Sequence, residues 1–534
     1  MKKADLPLVR WDRVQERSYQ INVFEQVKDR KSLVVLPTGL GKTIIAILVL
    51  AYRAERGRIL FLAPTKPLCE QHAVSISRLT SLEPVVVTGE LYGPDQRKEI
   101  YRRGEVVVAT PQTVENDLDR GVNPGDFSLI VFDEAHRAVG SYAYVGIARR
   151  YLRRGSQILG MTASPGSDYK KLREVADHLG IEHVELRTEQ DPDVQPYLAQ
   201  RRMRWVLVDM PEEVKRIVRR LDVMLTDFLA ELATYTRQAR NLSAGKLSKK
   251  ALIDIQSRMR SHLGKRGGSM YKAISVVSAA IKLAHLKDML TSQGVEAAQS
   301  YLAKLEFDRS KAAASIRKHR LYPSIRRDIV TLEAQRPKLE KTRDILLQHL
   351  ERHPDGRVIL FAEYRDTIDF LLRAIQSLPG VRARRFIGQA RGANDGMSQE
   401  EQKETLQAFR EGEFNVLVST SIGEEGIDVP ATTLVLFYEP VPSAIRAIQR
   451  RGRTARDGVP GMVVILIMKG SRDEAYYWSS RGKEKKMYQQ IARLKRELET
   501  AETPSGWHPS PPKKREKVPT DQRGQSRLDS FYPG

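Results

Sequence analysis

Short apolar runs alternate with longer amphipathic stretches in two separate parts of this 534-residue chain, and this alternation restricts its fold more than any other feature. In the first part the runs cover residues 32–36, 58–63, 105–109, 128–132 and 157–161. Runs of this length, rich in Val, Ile and Leu, predict buried strands of a parallel sheet with helices as the connections. Each run ends at polar or Gly/Pro residues, and ligands bind at the carboxyl ends of strands in such sheets.

The pattern of apolar residues changes after about residue 200, where they recur at helical spacing and few runs are typical of strands. Strand-like runs return at 357–361, 415–418, 433–437 and 462–467, and a basic helix of about 482–499 follows.

These patterns divide the chain into four regions. They are an α/β lobe over 1–200, a helical insert over 201–338, a second α/β lobe over 339–500 and a tail over 501–534. The tail is rich in Pro, Ser, Lys, Arg and Gly and has little to bury, which predicts that it is disordered.

The charge balance indicates a polyanionic partner. Lys and Arg number 89 against 66 Asp and Glu, a net charge of +23, which most simply indicates nucleic acid. The longest apolar stretch, residues 44–52, is about half of what a bilayer span needs, and no signal peptide opens the chain. The one cysteine, Cys69, excludes an intramolecular disulfide and a Cys-based zinc cluster. We therefore expect a soluble, intracellular protein that does not bind membranes.

A glycine-containing segment follows the first predicted strand and opens an apolar helix. Glycines let backbone N–H groups face a phosphate, and the helix N-terminus adds positive potential. Lys42 would reach the β- and γ-phosphates of ATP, and Thr43 would ligate Mg²⁺. Leu36 stands where the strict phosphate-loop pattern has Gly, so a turn that merely connects strand and helix is the alternative. The predicted nucleotide-binding residues are Pro37, Thr38, Gly39, Leu40, Gly41, Lys42 and Thr43.

Two carboxylates follow the predicted strand 128–132, at the same sheet edge as the phosphate segment. Asp133 suits Mg²⁺ binding, and Glu134 suits orienting or deprotonating the attacking water. An acidic N-cap is the alternative. In the second α/β unit, Arg453 and Arg456 are three residues apart, so one helical turn aims both at one site. Arginines supplied across a cleft stabilise charge on the γ-phosphate, whereas the alternative is a generic basic helix.

The segment 246–272 holds eight basic residues and one acid, Asp254. A solvated helix face is the usual explanation of a charge run, but this imbalance favours a surface that contacts phosphates. The residues expected to make these contacts are Lys249, Lys250, Arg258 and Arg260.

These motifs together resemble superfamily 2 helicases of the DEAH-box type, in the family's order, over about residues 15–480. The resemblance implies two RecA-like parallel-sheet lobes with a thumb-like helical insertion between them, and ATP hydrolysis. The matching segments are 37–43 (motif I), 63–68 (Ia), 110–113 (a later DNA-contacting motif), 133–136 (II, Asp-Glu-Ala-His), 162–164 (III), 361–365 (IV), 419–428 (V) and 449–456 (VI).

Four segments narrow the resemblance to the Hef/FANCM branched-DNA helicases: 162–166, 385–390, 396–404 and 475–478. This resemblance implies 3′→5′ translocation and action on forks and Holliday junctions. Archaeal Hef proteins typically carry an XPF-like nuclease half. This sequence has none, so we expect no cleavage, and any nuclease would be a separate partner.

The resemblance also assigns roles by position. Arg17 and Gln20 lie where an adenine-reading motif would be, and Gly426 and Asp428 would contact the nucleotide. His136 and Gln449 would link hydrolysis to DNA contact. ATP would bridge Lys42 and the pair Arg453 and Arg456, so that binding favours a closed cleft. The resemblance implies contacts with the DNA backbone at Pro64, Thr65, Lys66, Thr110 and Thr420. The amides, hydroxyls and cation of these residues suit a phosphodiester backbone and do not read the base sequence.

An apolar face lies in the otherwise polar tail. Leu528, Phe531 and Tyr532 share one side of a helical turn, and together with Gln525 they resemble the box that binds the PCNA sliding clamp. Chance aromatics are the alternative. The basic residues 512–517 suit a nuclear import signal or a cationic tether, and the sequence leaves both open. We expect a cytoplasmic or nucleoid location in an archaeon and a nuclear one in a eukaryote.

The leading hypothesis is an ATP-dependent helicase or translocase that remodels branched DNA at replication forks. A double-stranded RNA-dependent ATPase of the innate-sensor or Dicer type also carries a helical insert, but the clamp-binding box favours DNA. A clamp-binding scaffold that has lost hydrolysis is a third alternative, and the presence of every required catalytic residue type argues against it.

Overall fold

Two parallel sheets and a helical domain form the chain in the computed structural model. The residues that the structure describes are 6–500 except for 123, 199–200, 248, 262–266, 333–335, 389–395, 421–429, 431, 442, 444–453 and 455–460. No helix within these described ranges is long and apolar enough to span a bilayer.

The first lobe contains the strands β1 Ser32–Val35, β2 Ile59–Leu62, β3 Pro84–Val87, β4 Val106–Ala109, β5 Leu129–Asp133, β6 Gln157–Thr162 and β7 His183–Leu186. Their order is β3-β4-β2-β5-β6-β1-β7, with every pair parallel. The five predicted runs are confirmed as β1, β2, β4, β5 and β6. The edge strands β3 and β7 were not predicted, because β3 begins at a proline and is only half-buried, and β7 contains His183 and Glu185.

Helices cover both faces of this sheet, as a parallel sheet requires. They are α1 Ser18–Val27, α2 Lys42–Ala54, α3 Lys66–Leu79, α4 Pro94–Arg103, α5 Pro111–Asp119, α6 Ala143–Leu152 and α7 Tyr169–Leu179. One core lies between the sheet and α1 to α3. The other lies between the sheet and a set of helices that includes α6 and α7.

The predicted helical insert has a core of its own. A one-turn π-helix, Met289–Gln293, lies at the end of its α10 and is entirely buried. The apolar residues at helical spacing along its first helix, from Val214 to Leu232, are buried, which agrees with the helical spacing seen in the sequence. The helices of the insert are α8 Glu212–Tyr235, α9 Lys249–Ser261, α10 Gly267–Asp288, α11 Val295–Phe307, α12 Lys311–Lys318 and α13 Tyr322–Thr331.

The second lobe is a six-stranded parallel sheet. Its helices are α14 Pro337–Arg352, α15 Arg365–Ile375, α16 Gln399–Glu411 and α17 Arg472–Thr500. Its strands are β8 Arg201–Val208, β9 Val358–Phe361, β10 Ala383–Phe386, β11 Val416–Ser419, β12 Leu434–Phe437 and β13 Gly461–Met468. The order is β10-β11-β9-β12-β13-β8, and the four predicted runs are confirmed as β9, β11, β12 and β13.

The strand β8 corrects the expectation that the segment after residue 200 is helical. All eight of its residues pair in parallel with β13, from Arg201 with Gly461 to Val208 with Met468. The chain therefore contributes a strand to the second lobe before it enters the insert. The arginines in the first half of β8 obscure its apolar character in the sequence, and its partner strand lies about 260 residues away.

The helix α17 begins ten residues before the predicted helix and reaches both lobes. Its first turns follow β13, where the Asp473 carboxylate accepts a hydrogen bond from the backbone N–H of Met468 at 3.1 Å. Met487, Ile491 and Leu494, farther along, are fully buried in the core of the first lobe. The helix expected to close the second lobe thus ties that lobe to the first.

Candidate functional site

The phosphate segment forms a tight loop between β1 and α2. Gly39 and Gly41 have φ values of +90° and +73°, conformations that favour glycine. The Leu40 carbonyl accepts hydrogen bonds from the Tyr19 hydroxyl at 2.6 Å and from the Gln20 amide at 3.2 Å. Gln20, predicted to read adenine, thus holds the loop itself in this structure.

Leu36 explains the departure from the strict glycine pattern. Its side chain is fully buried in the first-lobe core, and its N–H donates to the Thr162 carbonyl at 3.1 Å. This backbone group therefore belongs to the sheet edge and does not face a phosphate. The Lys42 ammonium lies 3.5 Å from the Leu36 carbonyl, which places it over the loop.

Asp133 ends β5 as a buried, charged carboxylate. Its Oδ2 lies 3.0 Å from Nε2 of His72 on α3. Burial alone would raise the pKa of Asp133, but the hydrogen bond from His72 and the nearby charges of His72 and Lys42 hold that pKa below its ordinary value. A carboxylate that stays charged when buried is suited to a cation.

His72 is a site residue that the sequence reasoning missed. Cys69, Ala73 and Ile76 share its buried helix face, and a polar residue on such a face needs a partner. The Phe61 ring lies 4.5 Å from the His72 ring and helps to hold it. The helical spacing was a signal of burial, but it did not identify Asp133 as the partner.

Glu134 has an unusual backbone. Among the residues that the structure describes, it is the one non-glycine residue with positive φ, at +50°. Such a conformation costs about 1–2 kcal/mol, and it turns the chain sharply after β5. Oε2 of Glu134 lies 3.2 Å from Nδ1 of His136, which in turn lies 3.0 Å from the Thr162 hydroxyl. His136 therefore connects the second predicted carboxylate to the third motif.

The predicted DNA contacts of the first lobe lie on neighbouring strand ends. Pro64, Thr65 and Lys66 follow β2 and Thr110 follows β4, and these two strands are adjacent. Thr65 is exposed in front of α3, and the Lys66 ammonium is 2.9 Å from Glu90. The Thr110 and Thr113 hydroxyls are 2.8 Å apart.

Arg17 is half-buried and Thr420 is buried. The Arg17 guanidinium lies 5.9 Å from the Tyr197 ring centroid and contacts the Tyr19 hydroxyl. Thr420 is buried just after the end of β11, where its N–H donates to the Phe386 carbonyl at 3.3 Å. Its backbone carbonyl accepts the Ser419 hydroxyl.

The four basic residues predicted to contact phosphates on α9 do not form one surface. Lys250, Arg258 and Arg260 are exposed. Lys249 is half-buried with its Nζ 3.4 Å from Nδ1 of His285, and burial lowers its pKa. Lys249 therefore belongs to the interior of the insert.

Several predicted residues lie outside the described part of the chain. Thr454, between the two predicted arginines, is described, and it is buried with its hydroxyl donating to the Thr432 carbonyl. The residues outside are Gly426, Asp428, Gln449, Arg453, Arg456, Gln525, Leu528, Phe531 and Tyr532.

Comparisons with known proteins agree with this geometry. Residues 13–167 match the family model "Type III restriction enzyme, res subunit", and residues 338–458 match "Helicase conserved C-terminal domain". The crystal structure of the Pyrococcus furiosus Hef helicase domain superposes with a TM-score of 0.69 at 43% identity, over 89% of this chain and 100% of that one.

Two curated relatives match most of this chain. A putative ATP-dependent RNA helicase of Methanocaldococcus jannaschii is 40% identical over 90% of this chain. The ATP-dependent DNA helicase mph1 of Neurospora crassa is 32% identical over 86% of it. The chain spans 61% of the first relative and 41% of the second.

The two lobes, the phosphate loop and the paired carboxylates define an ATP-hydrolysing enzyme of helicase superfamily 2. Within that superfamily, the chain belongs to the Hef/FANCM-like helicases.

Proposed function

We propose that this protein is an ATP-dependent DNA helicase or translocase that moves 3′→5′ and remodels branched DNA, such as forks and Holliday junctions, in replication-fork repair. The course of α3 is the observation that carries the proposal. This helix begins beside Thr65 at the end of β2, and its His72 contacts Asp133 at the end of β5. One rigid helix therefore joins the surface proposed for the DNA backbone to the carboxylate of the nucleotide site.

The nucleotide edge of the first lobe suits ATP and Mg²⁺. The Thr38 hydroxyl is buried without a hydrogen-bond partner, as expected of a group that meets a phosphate. Asp133 and Thr43 offer a charged carboxylate and a hydroxyl for Mg²⁺, which neutralises phosphate charge when bound. Lys42 then holds the β- and γ-phosphates, and Glu134 orients the attacking water.

Arg453 and Arg456 are proposed to reach the γ-phosphate from the second lobe. Replacing either by alanine should abolish turnover and leave ATP binding largely intact, because these arginines act mainly on charge that develops during transfer. Wild-type turnover in both variants would exclude this role.

Stimulation of ATP hydrolysis by different nucleic acids identifies the substrate. The Neurospora relative is named a DNA helicase and the Methanocaldococcus relative a putative RNA helicase, so double-stranded RNA is the second candidate. ATPase activity should rise more with fork or Holliday-junction DNA than with plain duplex DNA or duplex RNA. Unwinding of partial duplexes with a 3′ or a 5′ overhang gives the polarity. Stronger stimulation by RNA would overturn the DNA proposal.

The α3 connection has its own test. His72→Gln keeps a polar side chain but changes the contact with Asp133, so stimulation by DNA should fall more than DNA binding does. Lys42→Ala is the companion variant, which should lose hydrolysis and still bind DNA at low salt. Full DNA stimulation in His72→Gln would show that α3 does not couple the two sites.

Recruitment by the PCNA clamp is proposed from the tail sequence. Deleting residues 525–534, or replacing Phe531 and Tyr532 by alanine, should remove binding to PCNA in a pull-down and spare ATPase activity. Unchanged capture by PCNA would exclude the box. A separate nuclease is the proposed partner for any cleavage of the remodelled DNA.

A further inference from the structure

The edge strand β8 carries a row of apolar side chains on an exposed face. Met203, Trp205 and Leu207 occupy alternate positions, so they share one face of the strand, and they are 41%, 49% and 51% exposed. Val206 and Val208 on the opposite face pack against the cores of the insert and the second lobe. The exposed row is therefore not what holds β8 in the sheet.

The first half of α17 extends this row with aromatic rings. The Tyr477 ring centroid lies 6.1 Å from that of Trp205 and 5.1 Å from that of Trp478. Trp478 is 64% exposed. The Arg481 guanidinium lies 5.7 Å from the centre of the Trp205 ring. We call Trp205, Tyr477, Trp478 and Arg481 the Trp205 platform.

Exposed cations outnumber acids on the part of α17 that carries the platform. Over residues 474–486 of this helix, Arg481, Lys483, Lys485 and Lys486 are exposed, against the half-buried Glu474 and Glu484. Arg202 and Arg204 of β8 are exposed as well, but they lie on the face of the strand opposite Trp205. A single nucleic-acid strand brings a negative charge with every nucleotide, whereas a protein partner would need an acidic rim to meet the same cations. Flat rings beside arginines are the features that bind single strands, since bases stack on the rings and phosphates pair with the cations.

We propose that the Trp205 platform binds single-stranded DNA by stacking bases on Trp205 and Trp478. The site is separate from the strand ends proposed for the DNA backbone. Thr65 and Thr110 follow β2 and β4 of the first-lobe sheet, whereas β8 is the edge strand of the second-lobe sheet. The inference rests on the proposed function, because a helicase that opens a duplex produces a separated strand to be held.

Tryptophan fluorescence of the full chain reports the stacking directly. In the absence of ATP, an oligodeoxythymidylate of about 12 nucleotides, within the usual site sizes of such surfaces, should quench the wild-type emission. Trp205→Ala with Trp478→Ala should abolish most of the quenching and weaken binding by about 5-fold to 150-fold for each base that loses its ring. Unchanged affinity and quenching would overturn the proposal.

Two further variants guard against a trivial loss of folding. Trp205→Phe with Trp478→Phe keeps an aromatic face, so it should retain most of the affinity while losing the quenching. Trp11→Phe, in the first lobe, should retain both. An affinity that falls equally in all three variants would contradict the platform. Sedimentation of the wild type as an oligomer, and of the alanine variant as a monomer, would overturn the proposal in favour of an interface between copies.

The same variants separate this inference from the proposed function. The alanine double variant should keep its ATPase stimulation at saturating fork DNA, because the nucleotide site is untouched. A wild-type enzyme that no DNA stimulates would contradict the proposed function. Intact stimulation together with wild-type oligonucleotide binding by the alanine variant would contradict the platform alone.

Discussion

Replacing Gly41 by alanine should disrupt the phosphate loop through two separable contributions. Gly41 has φ +73°, a left-handed conformation that costs alanine about 1–2 kcal/mol. The new Cβ would also lie 2.4 Å from Nε2 of Gln20, well inside van der Waals contact. Gln20 is buried and donates to the Leu40 carbonyl, so moving its amide also costs a hydrogen bond worth about 0.5–1.5 kcal/mol.

These contributions together disfavour the loop conformation by about 1.5–3.5 kcal/mol. ATP must be bound by the ordered phosphate loop to be hydrolysed, so this free-energy cost should appear as a lower kcat/KM for ATP. About 1.4 kcal/mol corresponds to a tenfold change. We therefore expect steady-state ATPase assays to show a decrease of about 10-fold to 400-fold.

Gly155→Ala is the matched control. Gly155 has φ +76° but no atom within 4 Å of an added Cβ, and it lies in the turn before β6, at the opposite sheet edge. It bears the conformational cost alone, and kcat/KM should stay at the wild-type value.

The clash can be removed separately. In a Gln20→Ala background, the additional effect of Gly41→Ala should shrink to the conformational part, about 5-fold to 30-fold. A kcat/KM for Gly41→Ala within twofold of wild type would refute the reasoning, and an equal effect in both backgrounds would refute the clash.

Other perturbations test the second lobe, α17 and the insert. Burial raises the pKa of Glu439 to about 7, so the folded state holds this proton more tightly than the unfolded chain, and stability falls as pH rises from about 4.3 towards 7. Glu439→Gln should therefore raise the midpoint of thermal unfolding at pH 8 but not at pH 4. A difference between variant and wild-type midpoints that is the same at both pH values would contradict this. Leu494→Ala should weaken the attachment of α17 to the first lobe by about 2–5 kcal/mol, seen as faster amide exchange over residues 487–498, whereas exposed Arg496→Ala should change it by less than about 0.5 kcal/mol. Lys250→Ala should reduce the slope of log affinity against log salt by about 0.9, and an unaltered slope would make the exposed face of α9 a solvated surface.

Much of the nucleotide site could be predicted because its signals are local. Strands such as β1 and β5 are buried on both faces, so burial leaves a continuous apolar run in the sequence. Gly39 and Gly41 adopt positive φ, a conformation that favours glycine, so the residue type itself indicates the geometry of the loop. Asp133 follows directly from the end of its strand.

Other features depend on residues far apart in the chain. His72 contacts Asp133, which lies 61 residues later in the chain. The apolar spacing along α3 predicts that His72 is buried but does not indicate its partner. Lys249 has the same residue type and local spacing as its exposed neighbours, but the packing of α9 against α10 turns it inward, towards His285.

The amino-acid sequence alone determined two parallel-sheet lobes, the phosphate loop and the acidic pair, because apolar runs, glycines and strand ends act over a few residues. Only the tertiary structure decided that β8 joins the second lobe and that Met487, Ile491 and Leu494 of α17 anchor in the first. Edge pairing and helix docking depend on complementary surfaces that form only after distant segments have folded, so no local pattern specifies them.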